Sequence, residues 1–165
     1  MSAARVLVIG VGNPYRRDDA AGRIAVRRLR PRVPGAVGTL EHDGEGAALM
    51  EAWREAELVI LIDAVASRAP PGTVHRFDVR AGPLPAALVR DSTHAVGVPE
   101  AVELARALGR LPRRLIVYGI EGRAFDAGEG LSPEVERAVD GVVDSVLNDV
   151  LAADLGTAGG VDSHA

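Results

Sequence analysis

Cysteine is absent from the 165-residue chain. That excludes disulfides and thiolate metal sites and leaves any metal to His, Asp or Glu. Aromatic residues make up only 3% of the sequence, so a core has to be assembled from Val, Leu, Ile and Ala. No tract of one charge sign exists. The 19 basic residues are interleaved with 23 acids, for a net charge of −4, and the basic face that nucleic acid demands is missing. No apolar run reaches the roughly 20 residues of a membrane span. Residues 1–5 lead straight into an apolar segment without a signal-peptide pattern. The expectation is a cytoplasmic protein with neither a membrane nor a nucleic-acid partner. What is present, 47% hydrophobic and 25% charged residues, is enough for one globular domain with a core of ordinary size.

Apolar runs without polar interruption at residues 6–9, 58–62 and 115–118 read as parallel strands covered on both faces. A weaker strand is expected at 37–40, and another, an edge strand, at 74–79. Helical spacing links Ala21, Ile24, Ala25 and Leu29, then Val98, Ala101, Val102, Ala105 and Leu108, then Val135, Ala138, Val139, Val142, Val146 and Val150. Leu49, Met50 and Trp53 mark a short helix. Ser132-Pro133-Glu134 has the pattern of a helix start. Alternating strands and helices predict an α/β fold: a three-layer sandwich with a mostly parallel central sheet of about five strands flanked by helices. Residues 1–150 form the single domain in this reading, and 151–165, small and polar, a flexible tail.

In an open parallel sheet the usable crevice lies beyond the carboxyl ends of the strands. Asp19 falls in the junction after the first strand, Asp63 at the expected end of the third, and His94 in the loop before the next helix. Two carboxylates and an imidazole suit nickel, zinc, iron or manganese and leave coordination positions open. The competing readings are structural: an Asp at a helix start is commonly a cap, and a loop His is commonly exposed. His42, His75 and His164 are given that ordinary role. Gly10-Val11-Gly12 after a strand has the opening of a dinucleotide fingerprint, but Tyr15 stands where its third glycine belongs, and the acids that follow would repel a pyrophosphate. Asp18 is expected to cap the helix and orient Asp19, with Asn13 holding the turn. Glu121 reads either as a supporting or substrate contact or as a solvated acid at a strand end.

Taken in order, the segments "VLVIGVGNPYRRDDAAG", "LVILIDAV", "STHAVGVPEAVELARALGRLP", "VYGIEG" and "GEGLSPEVERAV" resemble the hydrogenase maturation endopeptidases, which remove a C-terminal extension from the large subunit of [NiFe] hydrogenases. The resemblance implies that Asp19, Asp63 and His94 are metal-binding positions and that the enzyme senses nickel already carried by the precursor. It implies a loop that touches the substrate at Asp43, Gly44 and Gly46, where this chain departs from the family's usual Gly-Gly-Thr-rich segment. Departures also stand at Asp19, often Glu in the family, at Ala20, often Gly, and at Gly122, commonly Pro. The expected activity is peptide hydrolysis with Asp19 and Asp63 as catalytic residues. In one version the nickel is held by all three side chains and takes part in hydrolysis. In the other it orients the substrate while Asp19 or Asp63 acts as an aspartic-type base. A monomer is expected. A non-cleaving, metal-sensing chaperone or docking factor for hydrogenase assembly is the alternative.

Overall fold

The computed structural model describes residues 5–85 and 97–162, with side chains described up to residue 153. The three apolar runs become the central strands β1 (Val6–Val11), β3 (Leu58–Val65) and β5 (Arg114–Glu121). With β2 (Val37–His42) and β4 (Val74–Asp78) they form a five-stranded sheet in the order β2-β1-β3-β5-β4. Both faces of the central strands are covered because their side chains alternate between two apolar cores. Val8, Ile60, Ile62, Ile116 and Tyr118 pack against α1 (Ala21–Leu29) and α4 (Pro133–Asp162). Ile9, Val59, Leu61, Leu115 and Val117 pack against α2 (Gly46–Ala52) and α3 (Val98–Ala107). The valine stripe of α4 supplies Val135, Val139, Val142, Val146 and Val150 to the first core. Each such side chain stabilises the fold by about 1.5–3 kcal/mol when fully buried. Val and Ala thus do the work of the scarce aromatics, and the lone tryptophan, Trp53, is buried with its indole N–H donated to the Arg110 carbonyl at 3.0 Å.

The sheet is mostly parallel, as expected: β1, β2, β3 and β5 are parallel, and the edge strand β4 alone runs antiparallel to β5. The segment 66–73 between β3 and β4 is too short to return to the far end of the sheet, so the next strand must start from the same end and run back. Two expectations need correction. Asp63 does not terminate its strand. β3 continues through Ala64 to Val65, pairing Asp63 with Gly119 and Val65 with Glu121. The acid is tolerated inside a buried strand because it lies near the sheet's carboxyl edge. The backbone from 151 is not a loose tail either: α4 extends to Asp162. Leu151, Ala152 and Ala153 are strong helix formers and carry the helix on beyond its apolar stripe.

Candidate active site

β1 hands over to α1 through a turn that two glycines make possible. A Cβ on Gly12, whose φ is +150°, would stand 1.9 Å from the Asp19 carbonyl oxygen. One on Gly22 would stand 2.1 Å from the Ile62 carbonyl oxygen and 2.6 Å from that of Val11. Only bare backbone lets the start of α1 lie directly on the ends of β1 and β3. The short 3-10 turn that carries Asp19, Arg17–Ala20, consequently contacts β3, the strand of Asp63. Asn13 holds the turn as expected: its Oδ1 accepts from the Tyr15 amide at 2.9 Å, and its own amide donates to Asp19 Oδ2 at 2.9 Å. Arg23 closes the turn from above, donating to the Gly12 carbonyl at 2.5 Å. Asp63 is buried, 8% exposed, and alternates with Val59 and Leu61 on the α2/α3 side of the sheet. The two candidate acids therefore sit at the carboxyl ends of neighbouring strands. His94 lies outside the described residues. Among the described residues no group of three His, Asp or Glu side chains could hold a metal ion, so Asp19 and Asp63 fit a cation only with a further ligand from elsewhere.

Asp18 does not cap a helix. Neither the 3-10 turn nor α1 has a side-chain cap. The Asp18 carboxylate is fully buried and turned to the opposite end of the chain. It accepts from the amides of Arg123 at 2.8 Å, Ala124 at 2.9 Å and Ser132 at 2.7 Å, and from the Ser132 hydroxyl at 2.8 Å. Asp18 returns its own amide to the Ala124 carbonyl at 2.9 Å. Burial pushes its carboxyl up, but the amides of Ser132, Ala124 and Arg123 and the Ser132 hydroxyl outweigh that and hold it below the ordinary 3.8. Asp18 welds the β5–α4 connection to the turn that carries Asp19.

Glu121, at the end of β5, is not solvated either. It is 1% exposed. Its carboxylate accepts from the Ser67 amide at 3.1 and 3.3 Å and from the Ser67 hydroxyl, and it meets His75 Nε2 at 3.0 Å. His75, assigned an ordinary role from the sequence, is thus part of a buried polar cluster at the same edge of the sheet as the acid pair. Its sequence signal is its parity in the β4 run with Phe77, against whose ring it stacks.

The segment expected to touch substrate leaves β2 beside the end of β1, where Gly12 donates to the His42 carbonyl at 3.0 Å. Gly44 takes φ +94° and donates to His42 Nδ1 at 2.8 Å. Asp43 accepts from the Glu45 amide at 3.0 Å, and Glu45 caps α2 through the amides of Ala47 and Ala48. Asp43 is exposed, and Gly44 and Gly46 are buried.

The described residues define a three-layer α/β domain with two acids at one lip of its sheet, and the comparisons narrow it. The family model described as "Hydrogenase maturation protease" matches residues 32–149. The hydrogenase 2 maturation protease of Escherichia coli is 29% identical over 147 residues, 87% of this chain and 88% of that protein. The solved structure of the hydrogenase maturating endopeptidase HybD from E. coli superposes with a TM-score of 0.77 at 27% identity, covering 90% of this chain and 93% of that one. The [NiFe] hydrogenase maturation protease HybD from Thermococcus kodakarensis superposes at 0.67 with 28% identity, covering 86% and 96%. The chain belongs to the hydrogenase maturation protease family, and so is a peptidase.

Proposed function

We propose that the protein is the endopeptidase that removes the C-terminal extension of a nickel-loaded [NiFe] hydrogenase large-subunit precursor, with Asp19, Asp63 and His94 as the side chains that meet the metal. The observation that supports this reading is the packing of Gly12 and Gly22, which lets the turn that carries Asp19 lie on the ends of β1 and of β3, the strand of Asp63. Carboxylate oxygens and an imidazole are donors that suit a borderline divalent cation. The nickel belongs to the substrate here, and Asp19, Asp63 and His94 would hold it as an electrophile able to polarise a carbonyl or a water. This chain's residues do the rest. Asp19 or Asp63 takes a proton from the water that attacks the scissile carbonyl carbon. The same carboxyl then returns a proton to the amine as the C–N bond breaks. Asn13, through its amide on Asp19 Oδ2, fixes one of those carboxylates. Asp43, Gly44 and Gly46 form the wall that the substrate meets at the β2 end. In this reading the protein acts as a monomer in the cytoplasm.

The test is the mass of a nickel-loaded precursor incubated with the protein. Loss of the extension's mass is expected with the parent protein and not with Asp63→Ala or with a nickel-free precursor. Binding without any change of mass would replace this reading with that of a metal-sensing docking factor.

A further inference from the structure

Two residues other than glycine adopt a left-handed backbone among the described residues, Arg17 (φ +46°) and Arg68 (φ +71°). Such a conformation costs any residue with a Cβ and persists only where something compensates for it. For Arg17 the compensation is visible within the chain. Its amide donates to the Gly128 carbonyl at 3.1 Å, and its guanidinium lies 3.8 Å from Asp126. Arg68 is exposed and forms no hydrogen bond or ion pair among the described residues. The other arginines at this edge of the sheet are engaged: Arg16 with the Phe125 carbonyl, Arg23 with the Gly12 carbonyl and Arg123 with Glu134.

The strained residue is not on a loose loop. Glu121 grips the β3–β4 connection at both ends. Its buried carboxylate holds Ser67, immediately before Arg68, through the amide and the hydroxyl. Its backbone accepts from the Gly72 amide at 2.8 Å and donates to the Thr73 carbonyl at 2.9 Å. Pro70, Pro71 and the bond from the Thr73 amide to the Pro70 carbonyl stiffen what lies between. The connection leaves β3 two residues after Asp63 and one turn of chain before Arg68. A bare guanidinium is therefore held in an unfavourable backbone conformation, on a rigid support, at the lip where Asp19 and Asp63 would otherwise repel anions.

We infer that Arg68 is a specificity-determining residue that binds a carboxylate of the hydrogenase precursor, either an acidic side chain near the scissile bond or the terminal carboxylate of the extension. A guanidinium offers a carboxylate two parallel N–H donors, which lysine cannot reproduce. The inference rests on the function proposed above and deepens it.

The experiment measures binding and cleavage of the nickel-loaded precursor by the parent protein, Arg68→Gly and Arg68→Lys, together with thermal melting. Arg68→Gly is expected to weaken binding and raise KM about tenfold, to leave kcat within about twofold, and to melt no lower than the parent, because glycine adopts φ +71° without a Cβ penalty. Arg68→Lys falls between the two in binding. The loss should shrink as ionic strength rises. Precursors with the extension's acids changed to amides, or with the terminal carboxylate amidated, separate the two sources: the one that erases the difference between parent and Arg68→Gly carries the bound group. Unchanged binding by Arg68→Gly, a lower melting point, or a difference that survives both precursor changes overturns the inference. A parent protein that binds the precursor through Arg68 without cutting it counts against the endopeptidase reading alone. One that does not bind overturns both.

Discussion

Asp18 and Glu121 are both buried carboxylates at the carboxyl edge of the sheet, yet their partners differ in kind. Asp18 accepts from three backbone amides and one hydroxyl. None of those donors changes its charge at any ordinary pH. Glu121 accepts from one amide and one hydroxyl and faces the imidazole of His75 on the edge strand β4, so its partners are chiefly side chains. The first arrangement is a permanent weld between the β1–α1 turn and the β5–α4 connection. The second is a hold on the β3–β4 connection made through side chains. In the proposed function Asp19 and Asp63, between them, are the acids that face the substrate, and this edge would then divide its carboxylates between holding loops and doing chemistry.

The sharpest way to test that division is to compare Asp18 with its neighbour. Asp19→Ala and Asp63→Ala should abolish processing of the precursor while costing less stability than Asp18→Ala, since Asp19 accepts from the Asn13 amide alone among the bonds to its carboxylate described above. Asp18→Ala should do the reverse in emphasis. Four donors lose their acceptor in a site closed to water, at a cost of about 3 kcal/mol in denaturant unfolding. If Asp18→Ala keeps its stability but loses processing as fully as Asp19→Ala, the roles of the two acids have been exchanged.

Glu121→Ala should cost less, about 2 kcal/mol, because it strands the Ser67 amide and hydroxyl but leaves His75 only partly buried and able to turn to water. Urea unfolding of the two alanine variants side by side measures the difference. A Glu121→Ala loss as large as that of Asp18→Ala would mean that the second hold is as rigid as the first.

Much of this was legible before any coordinates. Periodicity gives the central strands and the valine face of α4, because a run such as Leu58–Val59–Ile60–Leu61–Ile62 has no other stable use in a chain of this length. Asp19, Asp63 and Asn13 stood out because polar groups at strand ends are few. The orientation of β4 was not legible from its own residues; it follows from the shortness of 66–73 combined with a strand order that only pairing reveals. Asp18 was misread for a related reason. Local chemistry favours a cap, whereas its actual donors at 123, 124 and 132 are brought to it by the parallel pairing of β3 with β5 and the turn back into α4. For Glu121 the sequence leaves a supporting role and a solvated strand end both open, and the buried cluster with Ser67 and His75 decides for the first. Nothing within its own segment announces that Ser67 and His75 close over it.

Acid titration gives a further separation of the two holds. Asp18 has a folded value below its unfolded 3.8, so its contribution to stability is complete above 3.8 and is lost as pH falls through the lower, folded value. The parent protein should lose stability on that acid limb, and Asp18→Asn should show a shallower loss, read from urea midpoints at a series of pH values. An Asp18→Asn variant with an unchanged acid limb would show that the weld depends on shape alone and not on charge.

The smallest effect is expected away from the edge, where it serves as a control. Tyr118 lies on the α4 side of the sheet, donates to Asp149 and accepts from Arg76 Nε at 3.1 Å, while Arg76 also binds Asp149 at 2.7 Å. Burial first, then the bond to Asp149, pushes the phenol up to about 12, against the opposing pull of Arg76. A group whose folded value is raised gives its full stability below the unfolded value, here 10.0, and loses it as pH climbs towards 12. Tyr118→Phe should cost about 1 kcal/mol at neutral pH, remove that alkaline loss, and leave precursor processing unchanged. A processing defect in Tyr118→Phe would mean that the far face of the sheet is coupled to the lip, and the assignment of distinct tasks to distinct carboxylates would have to extend through β5.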